Sequence, residues 1–369
     1  MTKNGTTRGG ETAARGNLAG ITRRMLLLTR KLSSSNLRDI EIATTPKDEI
    51  WNDGKVKLCR YRPRNKSALL GPVLIVQGLF GRYTMTDLQP GRSLVEKLVA
   101  GGVDLYVIDW GNPTRADQYR DFSDYADRYL GDALDQIRAV SGHDRAVLLG
   151  ICQGGVFGLC FAALYPERVK GLVLTVTPVD FHADRADPDP THGFLYVWSR
   201  NLPPVLVEDL IREYGNLPGE MTGAVFQGLA PARTFSKYTT DLIDIAEDDD
   251  ALETFMRMEK WLADRPDHPG AAAKQWLIEL FHQNQLVEGR FTVGGRQVDL
   301  GAITCPVLNI YGAKDHIIPP LSSRALRQHL GAAPYEELEV PTGHVGVFVS
   351  RHAQRLVPDK IVSWLSALE

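Results

Sequence analysis

A cysteine acts as a nucleophile only where its sulfur is both ionisable and reachable, and one of the four cysteines of this sequence is flanked for that purpose. The apolar run Ala146-Val147-Leu148-Leu149 leads into Gly150-Ile151-Cys152-Gln153-Gly154-Gly155 and then into a helical pattern. That order is the strand, sharp turn and helix of a nucleophile elbow, with sulfur in place of the commoner serine oxygen. Glycines around such a turn let strand and helix approach closely. Backbone N–H groups at the helix start would favour a thiolate and help hold a tetrahedral oxyanion. Alone, the short pattern fits a small buried core cysteine equally well.

A cysteine in this position needs a base and an acid to orient the base, and here they follow in chain order. After the run Val307-Leu308-Asn309-Ile310 comes Tyr311-Gly312-Ala313-Lys314-Asp315-His316, which places Asp315 at a strand's carboxyl end. After Glu337-Leu338-Glu339-Val340 comes Pro341-Thr342-Gly343-His344-Val345-Gly346, which places His344 on a glycine-flanked loop. Taken singly, Asp315 could be a helix N-cap before Pro319 and His344 a loop histidine. Jointly, Cys152, Asp315 and His344 on successive strand ends form a triad. His316 is the rival base; its place beside Asp315 suits a packing or loop residue better. The remaining histidines are read as surface or structural. For the oxyanion, the backbone N–H of Gln153 pairs with that of Leu79, on the loop Gln77-Gly78-Leu79-Phe80-Gly81-Arg82-Tyr83.

The elements that must carry these residues are short β-branched runs alternating with helical patterns. Val73–Val76, Leu105–Ile108, Ala146–Leu149, Leu172–Thr175 and Val307–Ile310 read as buried strands; Arg92–Ala100, Tyr125–Val140 and Gly155–Tyr165 read as helices. Such alternation implies an α/β fold, a mostly parallel sheet covered by helices on both faces. The rhythm breaks between residues 183 and 290, where Asp184–Pro190, the acidic run Glu247–Asp250 and segments around Trp198, Trp261 and Trp276 carry no strand pattern. A helical cap inserted over the active site is expected there, with a separate packing domain as the alternative. The core is therefore split into 40–182 and 291–369. Residues 1–39 read as a disordered basic tail, without hydrophobic period over 1–18, followed by a short amphipathic helix with Ile21, Met25, Leu28 and Leu32 on one stripe.

Composition narrows the function. With 369 residues and a formal net charge of −3, the chain lacks the basic field of a nucleic-acid binder. Cys59, Cys152, Cys160 and Cys305 form neither a CxxC pair nor a His-rich cluster, so no metal site is expected and free thiols suit a cytoplasmic setting. Thr22-Arg23-Arg24 fails as an export signal because Arg30 and Lys31 interrupt the apolar run, and no stretch approaches the roughly 20 apolar residues of a membrane span. Cys160, about two helical turns past Cys152 and roughly 12 Å along the axis, is read as core.

From about Ile40 to the end the sequence resembles class III polyhydroxyalkanoate synthases, which have the α/β-hydrolase fold. The resemblance is carried by Asp109–Asp117, Gly150–Gly155, Thr175–Phe181, Arg257–Trp261, Gly294–Leu300 and Val307–Pro320. It implies a Cys-His-Asp triad of Cys152, His344 and Asp315 and a hydroxyacyl-coenzyme A substrate, with the coenzyme released rather than held as a cofactor. It also implies a second synthase subunit of PhaE or PhaR type, homo-oligomers, and association with cytoplasmic polymer granules. Where such synthases carry a Tyr-Ala-Leu-Val-Asn-Arg-Pro-Tyr-like loop, this chain has Gln77–Thr84. The expected activity is polymerisation of (R)-3-hydroxyacyl groups through an acyl-cysteine. A thioesterase or esterase with the same triad, or a non-catalytic granule-associated subunit, are the alternatives.

Overall fold

The computed structural model describes residues 8–33, 37–64, 70–186, 194–228 and 231–369. Its centre is an eight-stranded sheet in the order β1-β2-β4-β3-β5-β6-β9-β10. These are β1 (Lys47–Asp53), β2 (Val56–Tyr61), β3 (Leu70–Val76), β4 (Val103–Asp109), β5 (Ala146–Ile151), β6 (Val169–Thr175), β9 (Val307–Gly312) and β10 (Tyr335–Val340); β7 (Thr292–Val293) and β8 (Arg296–Gln297) form a separate small hairpin. From β4 to β10 every pairing is parallel, and only β2 runs against its neighbours. Parallel strands buried on both faces need apolar residues at every position, and β5 is buried throughout its length.

Side chains alternate between two cores. Leu74 and Val76 face one with α3 (Leu130–Ser141) and α4 (Gln153–Leu164), whereas Val73 and Ile75 face the other with α2 (Leu94–Ala100) and α15 (Ala353–Ser366). Before these helices stands α1 (Arg8–Ser33). The composition of residues 1–18 predicts no regular structure; from Arg8 onward the chain is helix, and residues 1–7 lie outside the described residues. Alanine and arginine, with no proline, let the helix begun at Ile21–Leu32 propagate backward despite its glycines. Leu28 anchors it, packing with Leu242, Ala246, Leu252 and Met256.

The first hairpin also departs from expectation. Strand β1 is an edge strand whose exposed acids and a bulge between Glu49 and Trp51 break the alternation, so its pattern is invisible to a period-two reading. Its turn, Asp53-Gly54 with Gly54 at φ 61°, is a hairpin signal that the residues do carry.

From Ala183 to His282 the described elements are helical, apart from a single bridge between Leu217 and His268. They are α5 (Phe194–Asn201), α6 (Pro204–Tyr214), α7 (Gly219–Gly228), α8 (Pro231–Tyr238), α9 (Thr240–Asp244), α10 (Asp249–Ala263) and α11 (Gly270–Lys274), the last running into a π-helical turn, Gln275–His282. Part of the Asp184–Pro190 segment, from residue 187 on, lies outside the described residues. A cluster of rings joins this layer to the sheet. Trp276 stacks on Phe122 at 6.3 Å, Phe122 meets Phe157 of α4 edge-on at 4.9 Å, and Phe181 meets both Trp276 and Phe281. Each fully buried ring contributes about 1.5–3 kcal/mol, so the helical layer is bound firmly to the helix that follows Cys152. After β9 come α12 (Pro320–Arg324) and α13 (Leu326–His329), and after β10 comes α14 (Gly346–Val349) before α15.

Candidate active site

Between β5 and α4 the chain turns on Cys152, whose φ of 52° and ψ of −120° lie where a side chain is strained. Two hydrogen bonds hold the turn: Cys152 N–H donates to the Thr175 carbonyl at 2.9 Å, and the Cys152 carbonyl accepts from Gly155 N–H at 3.0 Å. The turn also needs clearance. A Cβ on Gly154 would lie 2.1 Å from the carbonyl oxygen of Val76, so only glycine lets the helix start this close to β3.

The four cysteines are all free thiols, and their surroundings separate them. Burial pushes the Cys160 thiol up strongly and that of Cys305 up to about 11, and it also raises Cys59. Cys152 is partly accessible and lies close enough to the His344 ring to raise its value.

The carboxylate of Asp315 is held on both oxygens. Oδ1 accepts from the N–H groups of Ile317 and Ile318 at 2.9 Å each, and Oδ2 accepts from His344 Nδ1 at 2.7 Å. The side chain is 1% exposed, and the loop bearing it is stitched to the His344 loop by Lys314 N–H donating to the Thr342 carbonyl at 3.0 Å. With Nδ1 committed to Asp315, the other ring nitrogen is left for sulfur. Burial on its own would lower the His344 value, but the charge and hydrogen bond of Asp315, followed by Cys152, overcome it and raise it to about 10. The three residues chosen by type and order are therefore brought together, with His344 rather than His316 on the carboxylate.

The two N–H groups expected to hold the oxyanion differ in their partners. The Gln153 N–H, in the first turn of α4, has no intrahelical acceptor. The Leu79 N–H is occupied: it donates to the side-chain Oε1 of Gln153 at 2.8 Å. The Gln153 side chain is itself held, with Nε2 3.0 Å from Nε2 of His268. Neither that side chain nor His268 stands out in the sequence, because a long-range contact between the helical layer and an elbow leaves no spacing signal. Tyr196 is a further case: fully buried, it bonds Ser322 at 2.8 Å.

Fold and site together define an α/β-hydrolase-type protein with cysteine at the elbow and a buried Asp-His pair facing it. The family model for the alpha/beta hydrolase fold matches residues 71–350. The chain is 39% identical to a protein named poly(3-hydroxyalkanoate) polymerase subunit PhaC from Allochromatium vinosum, covering 94% of this chain and 97% of that one. It is also 39% identical to the protein of the same name from Synechocystis, covering 94% and 90% respectively. The chain belongs to the poly(3-hydroxyalkanoate) polymerase PhaC family within the α/β hydrolases. Among solved structures, a monoacylglycerol lipase from Paleococcus ferrophilus matches with a TM-score of 0.52 at 16% identity over 85% of this chain and 100% of that chain. Epoxide hydrolase A from Mycobacterium thermoresistibile matches with a TM-score of 0.52 at 17% identity over 88% and 99%. Both share the fold.

Two outcomes follow from this geometry. Gly154→Ala forces a methyl group onto the Val76 carbonyl and lowers unfolding stability by about 3 kcal/mol, read as a shifted urea midpoint. His344 has a folded-state value raised to about 10 against an ordinary 6.5, so the folded chain holds a proton that the unfolded chain releases between those pH values. Its stabilisation is complete below about 6.5 and is lost as pH rises through about 10. Urea midpoints measured across that range fall in the wild type and fall less in Asp315→Asn; equal slopes would refute the assignment.

Proposed function

We propose that Cys152 carries the acyl chain of this poly(3-hydroxyalkanoate) polymerase. A single observation supports this above the others: a partly exposed cysteine at a strained elbow faces an imidazole fixed by a buried carboxylate, in a chain related over nearly its full length to PhaC proteins. Asp315 and Cys152 raise the His344 value, so at the moment of attack the ring holds the proton and the sulfur is the nucleophile.

In the first half-reaction the Cys152 sulfur adds to the thioester carbonyl of an (R)-3-hydroxyacyl-coenzyme A. The tetrahedral oxyanion collapses, the carbon–sulfur bond to the coenzyme breaks, and His344 gives its proton to the leaving thiolate. In the second, the now neutral His344 takes the proton of a hydroxyl on another hydroxyacyl unit or growing chain, whose oxygen attacks the acyl-cysteine. An oxyester forms and the thiolate returns opposite the imidazolium. Asp315 keeps Nδ1 as donor throughout and stabilises the charged ring. Every step is acyl exchange at one oxidation level, so coenzyme A enters and leaves as part of the substrate and no cofactor is called for.

A second subunit of PhaE or PhaR type, self-association and a granule surface belong to the same proposal. The cap exposes Trp198 at 40%, Val205 at 61% and Leu206 at 43%, apolar surface suited to such contacts. Among the described residues no helix is long and apolar enough to cross a membrane.

The test is incubation of the purified chain, alone and with a candidate second subunit, with 3-hydroxybutyryl-coenzyme A, following coenzyme release, turbidity and free acid. Wild type gives turbidity with little free acid, and Cys152→Ala gives neither coenzyme release nor polymer. Asp315→Asn slows coenzyme release by about 10²-fold or more, because the imidazole loses its orienting charge. Abundant free acid without polymer from the wild type would make the chain a thioesterase, and no acyl label on Cys152 would make it non-catalytic.

A further inference from the structure

The contact between Gln153 and His268 joins the cap to the oxyanion site, and its hydrogen bonds admit one assignment. Leu79 N–H donates at 2.8 Å, so the Gln153 atom facing it is the carbonyl oxygen Oε1. The amide nitrogen then faces His268 Nε2 at 3.0 Å, which must accept. The remaining ring nitrogen, Nδ1, lies 3.2 Å from the Pro269 carbonyl and donates to it. Such a chain requires a neutral ring, and burial lowers the His268 value to about 4. His268 is 0% exposed, and its backbone is pinned by two 2.9 Å hydrogen bonds to Leu217.

The loop that carries Leu79 is tied to the same part of the cap. Phe80 packs on the His268 ring with centroids 4.5 Å apart, Arg265 Nη1 donates to the Phe80 carbonyl at 3.3 Å, and Trp261 Nε1 donates to the Arg82 carbonyl at 3.1 Å. Gly78 sits so close that a Cβ there would lie 2.8 Å from Gln153 Cβ. A single N–H aimed at Oε1 at this distance is not free for a second strong acceptor.

We propose that His268 is a positioning residue for acyl transfer: through the Gln153 carboxamide it keeps the Leu79 N–H engaged until charge on the acyl oxygen displaces the amide oxygen. This rests on the acyl-transfer reading and adds a step to it. A neutral carboxamide competes evenly with the neutral carbonyl of a bound thioester, but a developing oxyanion forms hydrogen bonds roughly twice as strong. The donor is thus withheld from the ground state and surrendered in the transition state.

The test compares wild type, His268→Leu and His268→Asn in the full chain with its second subunit. Asparagine retains an acceptor for Gln153; leucine does not. With 3-hydroxybutyryl-coenzyme A in single turnover, His268→Leu releases coenzyme about fivefold faster, the effect of one neutral hydrogen bond, while His268→Asn stays near wild type. A merely structural role for His268 would instead slow both variants. Hydrogen exchange at the Leu79 amide reads the same contact without turnover: it quickens in His268→Leu and stays near wild type in His268→Asn. A slower or unchanged His268→Leu, or equal Leu79 exchange in all three proteins, overturns the proposal. Absence of acylation in the wild type would count against the polymerase reading alone, because the exchange comparison still decides this one.

Discussion

Everything at the site depends on the chain being bent at Cys152 into a conformation that an L-residue resists. A φ of 52° with ψ of −120° costs on the order of 1–3 kcal/mol and persists only where its surroundings over-determine it. They do so here from three sides. Strand β6 receives the Cys152 N–H, β3 lies against Gly154, and α4 begins one residue later with its dipole toward the sulfur. The neighbouring strand end shares the strain, with Val176 at φ 46° and its N–H on the Ile310 carbonyl. A β-branched residue in that region is an outlier, and its place beside the elbow shows how far the sheet's carboxyl edge is distorted to aim one side chain.

The electrostatics are built from the opposite end of the chain. Asp315 is almost wholly buried, yet its carboxylate lacks nothing, because two backbone N–H groups and one imidazole meet its oxygens. That satisfaction is what permits a buried charge. The charge in turn permits a buried imidazolium, since burial alone would strip His344 of its proton. Each group thus makes the next one tenable, and the sequence separation between Cys152 and His344 is closed by β5, β6, β9 and β10 lying side by side.

How much of this was legible in the residues follows the range of the interaction. Chemistry tied to local patterns could be read: Gly150–Gly155 after an apolar run, Asp315 and His344 after strand-like runs, and five central strands whose β-branched composition suits double burial. Features decided by distant contacts could not. The helix over Ile21–Leu32 was legible from its stripe, but its docking site was hidden because Leu28 packs on residues more than two hundred positions away. Strand β1 was hidden because an edge strand carries polar residues on both faces. The engagement of Leu79 was hidden most deeply, since the residue that controls it, His268, belongs to another layer and reaches it only through a glutamine side chain.

The choice of sulfur gives these constraints a common purpose. Exchange of one thioester for another is nearly level in free energy, so an acyl group carried on Cys152, as proposed, would remain activated toward a hydroxyl, whereas an acyl-serine would already have lost that difference. An activated intermediate is equally open to water, and discrimination must come from what surrounds it. The ring cluster of Phe122, Phe157, Phe181, Trp276 and Phe281 binds the helical layer onto α4, and Tyr196 is buried beside Ser322. A site dry enough to protect such a thioester would also be one in which each backbone N–H must have a partner. The Gln153 carboxamide meets that need at Leu79, so the packing that would shield an acyl-cysteine and the hydrogen bond that occupies the Leu79 N–H follow from the same exclusion of water.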